Sequence, residues 1–183
     1  MNILTTSLLL LLSIAFSIIQ PQTKTQNPIK KNYAPETFDK FTVNHEDYTL
    51  SISIESADNQ PVLVISMDLK NNAYFISPLE EKDFTGKFYF DFGSYKDLAF
   101  EGEVSESPRS VAKLLYPNYT NNEENLWITE NTTYKQSLKF KTIHDFEVYG
   151  RIQFTIEPRC TFEEIPFRIL YKDGKFTFLD AKC

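Results

Sequence analysis

The chain has 183 residues, of which 19 are basic and 25 acidic, so its formal net charge is −6. The basic residues alternate with acidic ones and form no basic stripe, which argues against a surface that follows the phosphates of a nucleic acid. Apolar residues make up 42% of the chain and aromatic residues 15%, enough to build one hydrophobic core.

The first 20 residues are predicted to be a signal peptide. The apolar run at residues 8–19 has the length of a signal-peptide core and is too short to span a bilayer comfortably. Residues 21–37 are rich in Gln, Thr, Asn, Pro and Lys and are predicted to form a flexible linker. We therefore expect an exported chain, periplasmic or secreted, with its folded domain at residues 38–183. An uncleaved signal anchor is the one membrane attachment that this pattern allows.

Alternating apolar and polar residues predict strands along most of this domain. In residues 48–55 the apolar side chains fall on one face, and residues 62–69 repeat the period after a turn predicted at residues 58–61. Further strands are predicted at residues 73–77, 87–92, 98–104, 134–141, 146–160, 165–171 and 176–179. About nine strands with almost no helix predict an all-β sandwich.

Three other segments interrupt or join these strands. Ser107 is predicted to cap a short helical stretch that begins at Pro108 and continues through residues 111–115. Residues 118–131 are predicted to be a polar loop that carries Trp127. Near the end of the chain, Asp173-Gly174 between two apolar runs predicts a two-residue hairpin turn, because both residues tolerate positive φ.

Few side chains carry a signal for metal or acid–base chemistry. His45 and His144 each lie in a polar turn before a strand, and two distant histidines give no ligand spacing, so we expect no metal site. We also find no motif for a cofactor. Glu157, Glu163 and Glu164 suggest a carboxylate pair for glycoside hydrolysis. Solvated acidic residues at the mouth of a hairpin are the commoner explanation.

Three aromatic residues stand apart from the apolar strand faces. Tyr89, Tyr149 and Trp127 occupy polar-face or loop positions, where a ring can stack against a sugar. The other aromatic residues lie mainly on the apolar faces of predicted strands and are expected in the core. A secreted adhesion or carbohydrate-binding sandwich is therefore one alternative for the function.

Cys160 and Cys183 are the two cysteines of the chain. In an oxidising compartment they invite a disulfide, and a structural Cys160–Cys183 bridge would contribute roughly 3 kcal/mol in the chain-entropy model. Reduced thiols, or pairing with other chains, are the alternatives. Arg159 favours a thiolate at Cys160 and the neighbouring glutamates oppose it, so local charge does not clearly activate this thiol.

Two segments near Cys160 resemble the amino-terminal periplasmic domain of the bacterial thiol:disulfide interchange protein DsbD. Residues 134–140 (YKQSLKF) and residues 148–154 (VYGRIQF) are similar to the late strands of that family. There a glycine-containing strand that ends in an aromatic residue precedes the redox cysteines. Residues 72–78 and 86–103 are more loosely similar to its earlier strands.

This resemblance implies an immunoglobulin-like β-sandwich that exchanges electrons with a thioredoxin-like domain. The family's reactive disulfide joins two cysteines a few residues apart, whereas here Glu157 holds the first position and only Cys160 lies near the second. One cysteine cannot undergo the dithiol–disulfide cycle. We therefore expect a binding or accessory module without redox catalysis, whose partner is a thioredoxin-like or another periplasmic or extracellular protein. The enzyme alternative is thiol–disulfide exchange through Cys160 and Cys183.

Overall fold

The computed structural model describes residues 40–57, 60–82, 85–93, 95–113, 124–142 and 144–180. Within these ranges the chain forms twelve β-strands and no helix. No membrane-spanning helix is found in this part of the chain. The predicted signal peptide at residues 1–20 and the predicted linker at residues 21–37 lie outside it.

The strands form three antiparallel sheets. Their bounds are β1 (Phe41–Asn44), β2 (Tyr48–Ala57), β3 (Gln60–Leu69), β4 (Phe75–Ile76), β5 (Tyr89–Asp91), β6 (Leu98–Ser107), β7 (Ala112–Lys113), β8 (Asn125–Ile128), β9 (Thr132–Phe140), β10 (Phe146–Ile156), β11 (Thr161–Lys172) and β12 (Lys175–Asp180). A five-stranded sheet has the order β1-β2-β3-β9-β6, a four-stranded sheet the order β12-β11-β10-β5, and a small sheet the order β4-β8-β7. The predicted all-β class is confirmed, and the sheets pack as a sandwich consistent with an immunoglobulin-like fold.

An aromatic core joins the two larger sheets. The ring of Phe88 stacks on Tyr134 of β9, with ring centroids 4.9 Å apart, and on Phe154 of β10, with centroids 5.6 Å apart. Tyr48 of β2 also meets Phe154 edge to face. Because rings from both sheets contact one another, the apolar faces predicted from the alternation are the faces that the fold buries.

The alternation predicted for β2 and β10 is confirmed with two differences: Ser51, predicted on the polar face of β2, is buried, and β10 ends at Ile156, so residues 157–160 of the predicted strand form a turn instead. In β2 the four apolar side chains predicted to share a face are each at most 1% exposed: Tyr48, Leu50, Ile52 and Ile54. In β10 every second residue from Phe146 to Ile156 is buried. The intervening residues of β10 therefore form an outer, solvent-facing surface.

The predicted hairpin turn at Asp173-Gly174 is also confirmed. Lys172 pairs with Lys175, so the turn has two residues. Asp173 has φ of 51° and Gly174 has φ of 79°, and positive φ at both central residues is what a type I′ turn requires. The turn brings β12 back along β11.

The helical stretch predicted at residues 107–115 is wrong throughout its described part. Ser107 is the last residue of β6 and pairs with Thr133, and the Ser107-Pro108 peptide bond is cis. Ala112–Lys113 form β7, which pairs with β8. The sheets supply the backbone hydrogen bonds here, so tertiary pairing overrides the local capping signal. The last two residues of the predicted stretch lie outside the described ranges.

The loop predicted at residues 118–131 contains strand β8, so Trp127 lies on a strand instead of in a loop. Its ring packs edge to face on Tyr74, with centroids 5.3 Å apart. Strands β1 and β7 are likewise missing from the prediction, because such short strands offer too few residues for an alternating pattern. In the turn predicted at residues 58–61, the last two residues, Gln60 and Pro61, belong to β3.

Strand β5 pairs with only the middle of β10, along the edge of β10 that does not pair with β11. Beyond it, the Thr155 N–H donates to the Gly86 carbonyl at 2.8 Å, and the Tyr149 N–H donates to the hydroxyl of Tyr95 at 3.2 Å. Segments before and after β5 thus accept hydrogen bonds from backbone N–H groups of β10 that β5 does not reach. These bonds fix β5, and with it Tyr89, beside β10.

Candidate functional site

Cys160 closes the loop that joins β10 to β11. The loop consists of residues 157–160, because the last residue pair of the hairpin flanks them directly. Cys160 has φ of 53°, in the left-handed region, and the Glu157-Pro158 peptide bond is cis. The backbone of Glu157 exchanges two hydrogen bonds with Tyr74, of 3.0 and 2.9 Å, and these anchor the loop to the segment before β4.

The thiol of Cys160 is exposed and interacts with Glu157. Its Sγ donates to Oε2 of Glu157 at 3.0 Å, and its backbone N–H donates to the same oxygen at 3.2 Å. This hydrogen bond and the negative charge of the carboxylate raise the pKa of the Cys160 thiol. Because the thiolate is the nucleophile in disulfide exchange, the arrangement keeps Cys160 weakly reactive at neutral pH.

Arg159, next to Cys160, forms ion pairs with three carboxylates outside the loop. Its Nη1 lies 3.2 Å from Oε1 of Glu46, its Nε 3.0 Å from Oδ2 of Asp47, and its Nη2 3.1 Å from Oε1 of Glu163. The Asp47 contact is an ion pair without hydrogen-bond alignment. These pairs tie the β1–β2 turn to the β10–β11 loop and draw the guanidinium toward carboxylates other than Glu157.

The turn at His45, Glu46 and Asp47 offers three potential ligand atoms within 4.8 Å of one another. The guanidinium of Arg159 contacts both carboxylates, so each of them is already paired with a cation of the protein itself. His45 stacks on Tyr48 with ring centroids 5.0 Å apart, and its Nδ1 accepts the backbone N–H of Asp47 at 3.3 Å. The cluster therefore serves to hold the turn.

His144 and the predicted carboxylate set have separate surroundings. His144 is exposed in the turn before β10, as predicted. Glu163 and Glu164 are adjacent on β11 and lie on opposite faces of the sheet, so they cannot form the facing pair that glycoside hydrolysis requires. Glu163 accepts from the Tyr48 hydroxyl at 3.1 Å, whereas Glu164 accepts from Gln153.

A second candidate surface is the solvent-facing side of the four-stranded sheet, called the outer face below. Paired residues of an antiparallel sheet point to the same side. Tyr89 pairs with Gln153, and Tyr149 pairs with Arg168. Phe162 is likewise on the side away from the core, because it pairs with Thr155.

The outer face carries most of the large hydrophobic side chains that are exposed in the described part of the chain. The described part of the chain has four such side chains, and three of them lie on the outer face. Tyr89 is 43% exposed, Tyr149 53% and Phe162 50%. The fourth is Val111, just before β7. The two tyrosines are those that the sequence marked for stacking, whereas Trp127 lies in the small sheet.

Phe162 is a candidate that the sequence reasoning missed. Ile165, Phe167 and Ile169 show which side of β11 is buried, and Phe162 has the opposite parity. This parity could have shown from the sequence that Phe162 lies on the solvent-facing side. The pattern did not reveal Phe162, because the predicted strand begins only at Ile165, whereas β11 begins at Thr161.

Charged side chains lie close to the two tyrosines of the outer face. Partial burial and then the negative charge of Asp91 raise the pKa of Tyr89. Tyr149 pairs across the sheet with Arg168, whose Nη1 lies 3.4 Å from Oε1 of Glu147. Each exposed ring thus has charged neighbours on the same face.

The predicted Cys160–Cys183 bridge stays a prediction. Cys183 lies outside the described residues, and Cys160 carries a free thiol in the structure. A scan against protein-family models finds no match for the chain, and a search of curated proteins finds none either. The resemblance to the DsbD amino-terminal domain therefore also stays a prediction.

Proposed function

We propose that this chain is an exported accessory or binding module that binds its ligand through the outer face of the four-stranded sheet. The observation that carries the proposal is that Tyr89, Tyr149 and Phe162, three exposed rings, lie along that one face. Exposed aromatic rings that share a face favour a binding surface, because covering them in a complex is favourable.

The surroundings of Cys160 support a role without redox catalysis. Thiol–disulfide exchange needs a thiolate, and Glu157 raises the pKa of the Cys160 thiol. In the resemblance to the DsbD domain, Glu157 stands where a first redox cysteine is expected. Here its carboxylate accepts a hydrogen bond from Cys160 in place of a sulfur partner.

The test compares variants on an array that carries both glycans and extracellular proteins. Tyr89→Ala/Tyr149→Ala removes two rings of the outer face, and Cys160→Ser removes the thiol. Val111→Ala is the matched control, because it shortens an exposed hydrophobic side chain elsewhere. We expect the native protein, Cys160→Ser and Val111→Ala to bind the same arrayed ligand and the double tyrosine variant to lose it.

Two results would contradict the proposal. One is that the native protein binds nothing on the array. The other is that binding depends on Cys160 and is indifferent to the tyrosines. Reversible reduction and oxidation of Cys160 with Cys183 by thioredoxin would then favour the alternative, a thiol–disulfide exchange domain.

A further inference from the structure

We infer that the ligand of the outer face is a neutral carbohydrate chain of several sugar residues. This inference rests on the proposed function, since it names the ligand class of the same surface. It is carried by three properties of that face: where its rings are, which groups lie between them, and how its charges balance.

The rings suit stacking because they are exposed. Tyr89 and Tyr149 are each about half exposed. A tyrosine side chain has only two rotatable torsions, so ordering it against a ligand costs little side-chain entropy. The apolar C–H face of a sugar ring packs on such an aromatic ring while the sugar's hydroxyls remain free for hydrogen bonds.

The residues near the rings are polar rather than apolar. Asp91, Arg151 and Gln153 lie beside Tyr89 in adjacent cross-strand pairs, and Glu164 pairs with Gln153. Carboxylate, guanidinium and amide groups are planar and bind pairs of neighbouring sugar hydroxyls. The core of a protein–protein interface is instead depleted of acidic residues, because covering a carboxylate without a matched partner costs desolvation. The carboxylates of Asp91 and Glu164 therefore favour a glycan over a protein.

The distances between the rings favour a chain over a single sugar. From the strand register and ordinary sheet spacings, Tyr149 and Phe162 are about 20 Å apart. Tyr89 lies between them, roughly 14 Å from Tyr149 and roughly 12 Å from Phe162 by the same spacings. The whole strip is several times as long as one sugar ring is wide.

The charges of the face favour a neutral glycan. The charged side chains that the strand register places on the outer face nearly balance: Asp91, Glu147 and Glu164 against Arg151, Arg168, Lys172 and Lys175. The chain as a whole carries a formal charge of −6. A polyanionic glycan would meet only a slight excess of positive charge here and would be repelled by the rest of the molecule.

The experiment is affinity electrophoresis in native gels that contain one dissolved polysaccharide each. The neutral probes are mixed-linkage β-glucan, xyloglucan, galactomannan and glycogen, and the anionic probe is polygalacturonate. We expect at least one neutral probe to retard the native protein and Val111→Ala equally. Tyr149→Ala should raise the apparent Kd for that probe about tenfold, whereas Tyr149→Phe, which keeps the ring, should bind nearly as the native protein does.

The outcomes separate this inference from the proposed function. If no neutral probe retards the native protein, but an arrayed protein binds through Tyr89 and Tyr149, the glycan inference is wrong and the binding face stands. If neither a probe nor an arrayed ligand binds, both are wrong. Retardation by polygalacturonate alone, or retardation that Tyr149→Ala leaves unchanged while circular dichroism shows the native fold, also overturns the inference.

Discussion

The Sγ atom of Cys160 donates a hydrogen bond of 3.0 Å to Oε2 of Glu157, three residues earlier in the same hairpin loop. The left-handed backbone at Cys160 lets its N–H donate to the same carboxylate oxygen. A single side chain of the loop therefore contacts both the thiol and the backbone N–H of Cys160.

Glu157→Gln should make Cys160 more reactive. The amide carries no negative charge to oppose the thiolate, so the pKa of Cys160 should fall and more thiolate should be present at a given pH. In a Cys183→Ser background, we expect the rate of alkylation by iodoacetamide at pH 7.5 to rise several-fold. Glu164→Gln is the control: it removes a carboxylate on the outer face of β11, which accepts from Gln153, and should leave the alkylation rate unchanged. Equal rates in the two variants would show that Glu157 does not control the thiol.

Gly174→Val should destabilise the β11–β12 hairpin. Gly174 has φ of 79°, a conformation that a β-branched residue adopts only with strain. We expect a loss of roughly 1 to 3 kcal/mol in the free energy of unfolding, measured by urea denaturation. Asp173→Asn, which tolerates the left-handed region, is the control and should be nearly neutral. An unchanged midpoint in Gly174→Val would contradict this view of the turn.

Gly150→Ala should clash with Phe167. The two residues pair across β10 and β11, and a Cβ at Gly150 would lie 2.4 Å from Cζ of the buried Phe167 ring. Overpacking of this kind costs about 1 to 3 kcal/mol. The combination with Phe167→Leu should lose less than the sum of the two single changes, because the smaller side chain makes room. Additive losses in this double-mutant cycle would exclude the clash as the cause.

Arg159→Gln should loosen the link between the β1–β2 turn and the β10–β11 loop. The Arg159 side chain is 36% exposed, so its three ion pairs are partly screened, and we expect a loss of about 1 kcal/mol in the free energy of unfolding at low salt. The loss should shrink in 1 M NaCl, because salt screens the pairs. Arg109→Gln, at an exposed position, is the control. A loss that does not change with salt would point to packing rather than charge.

The stability of the fold should fall at alkaline pH because of Tyr48 and Tyr134. Burial raises the pKa of both hydroxyls, and nearby negative charge, from Glu163 and Glu106 respectively, acts in the same direction. The Glu106 carboxylate is not aligned for a hydrogen bond with the Tyr134 hydroxyl. The folded state thus keeps protons that the unfolded chain releases. This contribution is complete below the unfolded tyrosine pKa of about 10 and is lost as the pH rises above it.

Urea denaturation between pH 8 and pH 11.5 measures this effect. Each tyrosine should contribute up to about 1.4 kcal/mol per pH unit to the alkaline decline. Tyr48→Phe/Tyr134→Phe should flatten the decline, whatever its effect at neutral pH. An alkaline slope equal to that of the native protein would show that other groups are responsible.

The sequence by itself determined the long strands and the final hairpin. The alternation covers residues 48–55 in β2 and all eleven residues of β10, and a strand with one buried face requires that period. At Asp173-Gly174 the turn residues are sufficient, since few other residues accept positive φ at both positions. Where the signal was short, as at Ser107-Pro108, pairing with β9 outweighed it.

Only the tertiary structure decided which side chains share a surface. Tyr89 lies beside Gln153 because of a strand pairing across 64 positions of the chain, and no local pattern encodes that register. The same holds for Arg159, whose three carboxylates come from two segments more than a hundred residues apart. Alternation tells which residues of a strand face solvent, but the pairing of distant strands decides which of those residues meet. The outer face and the surroundings of Cys160 are products of that pairing.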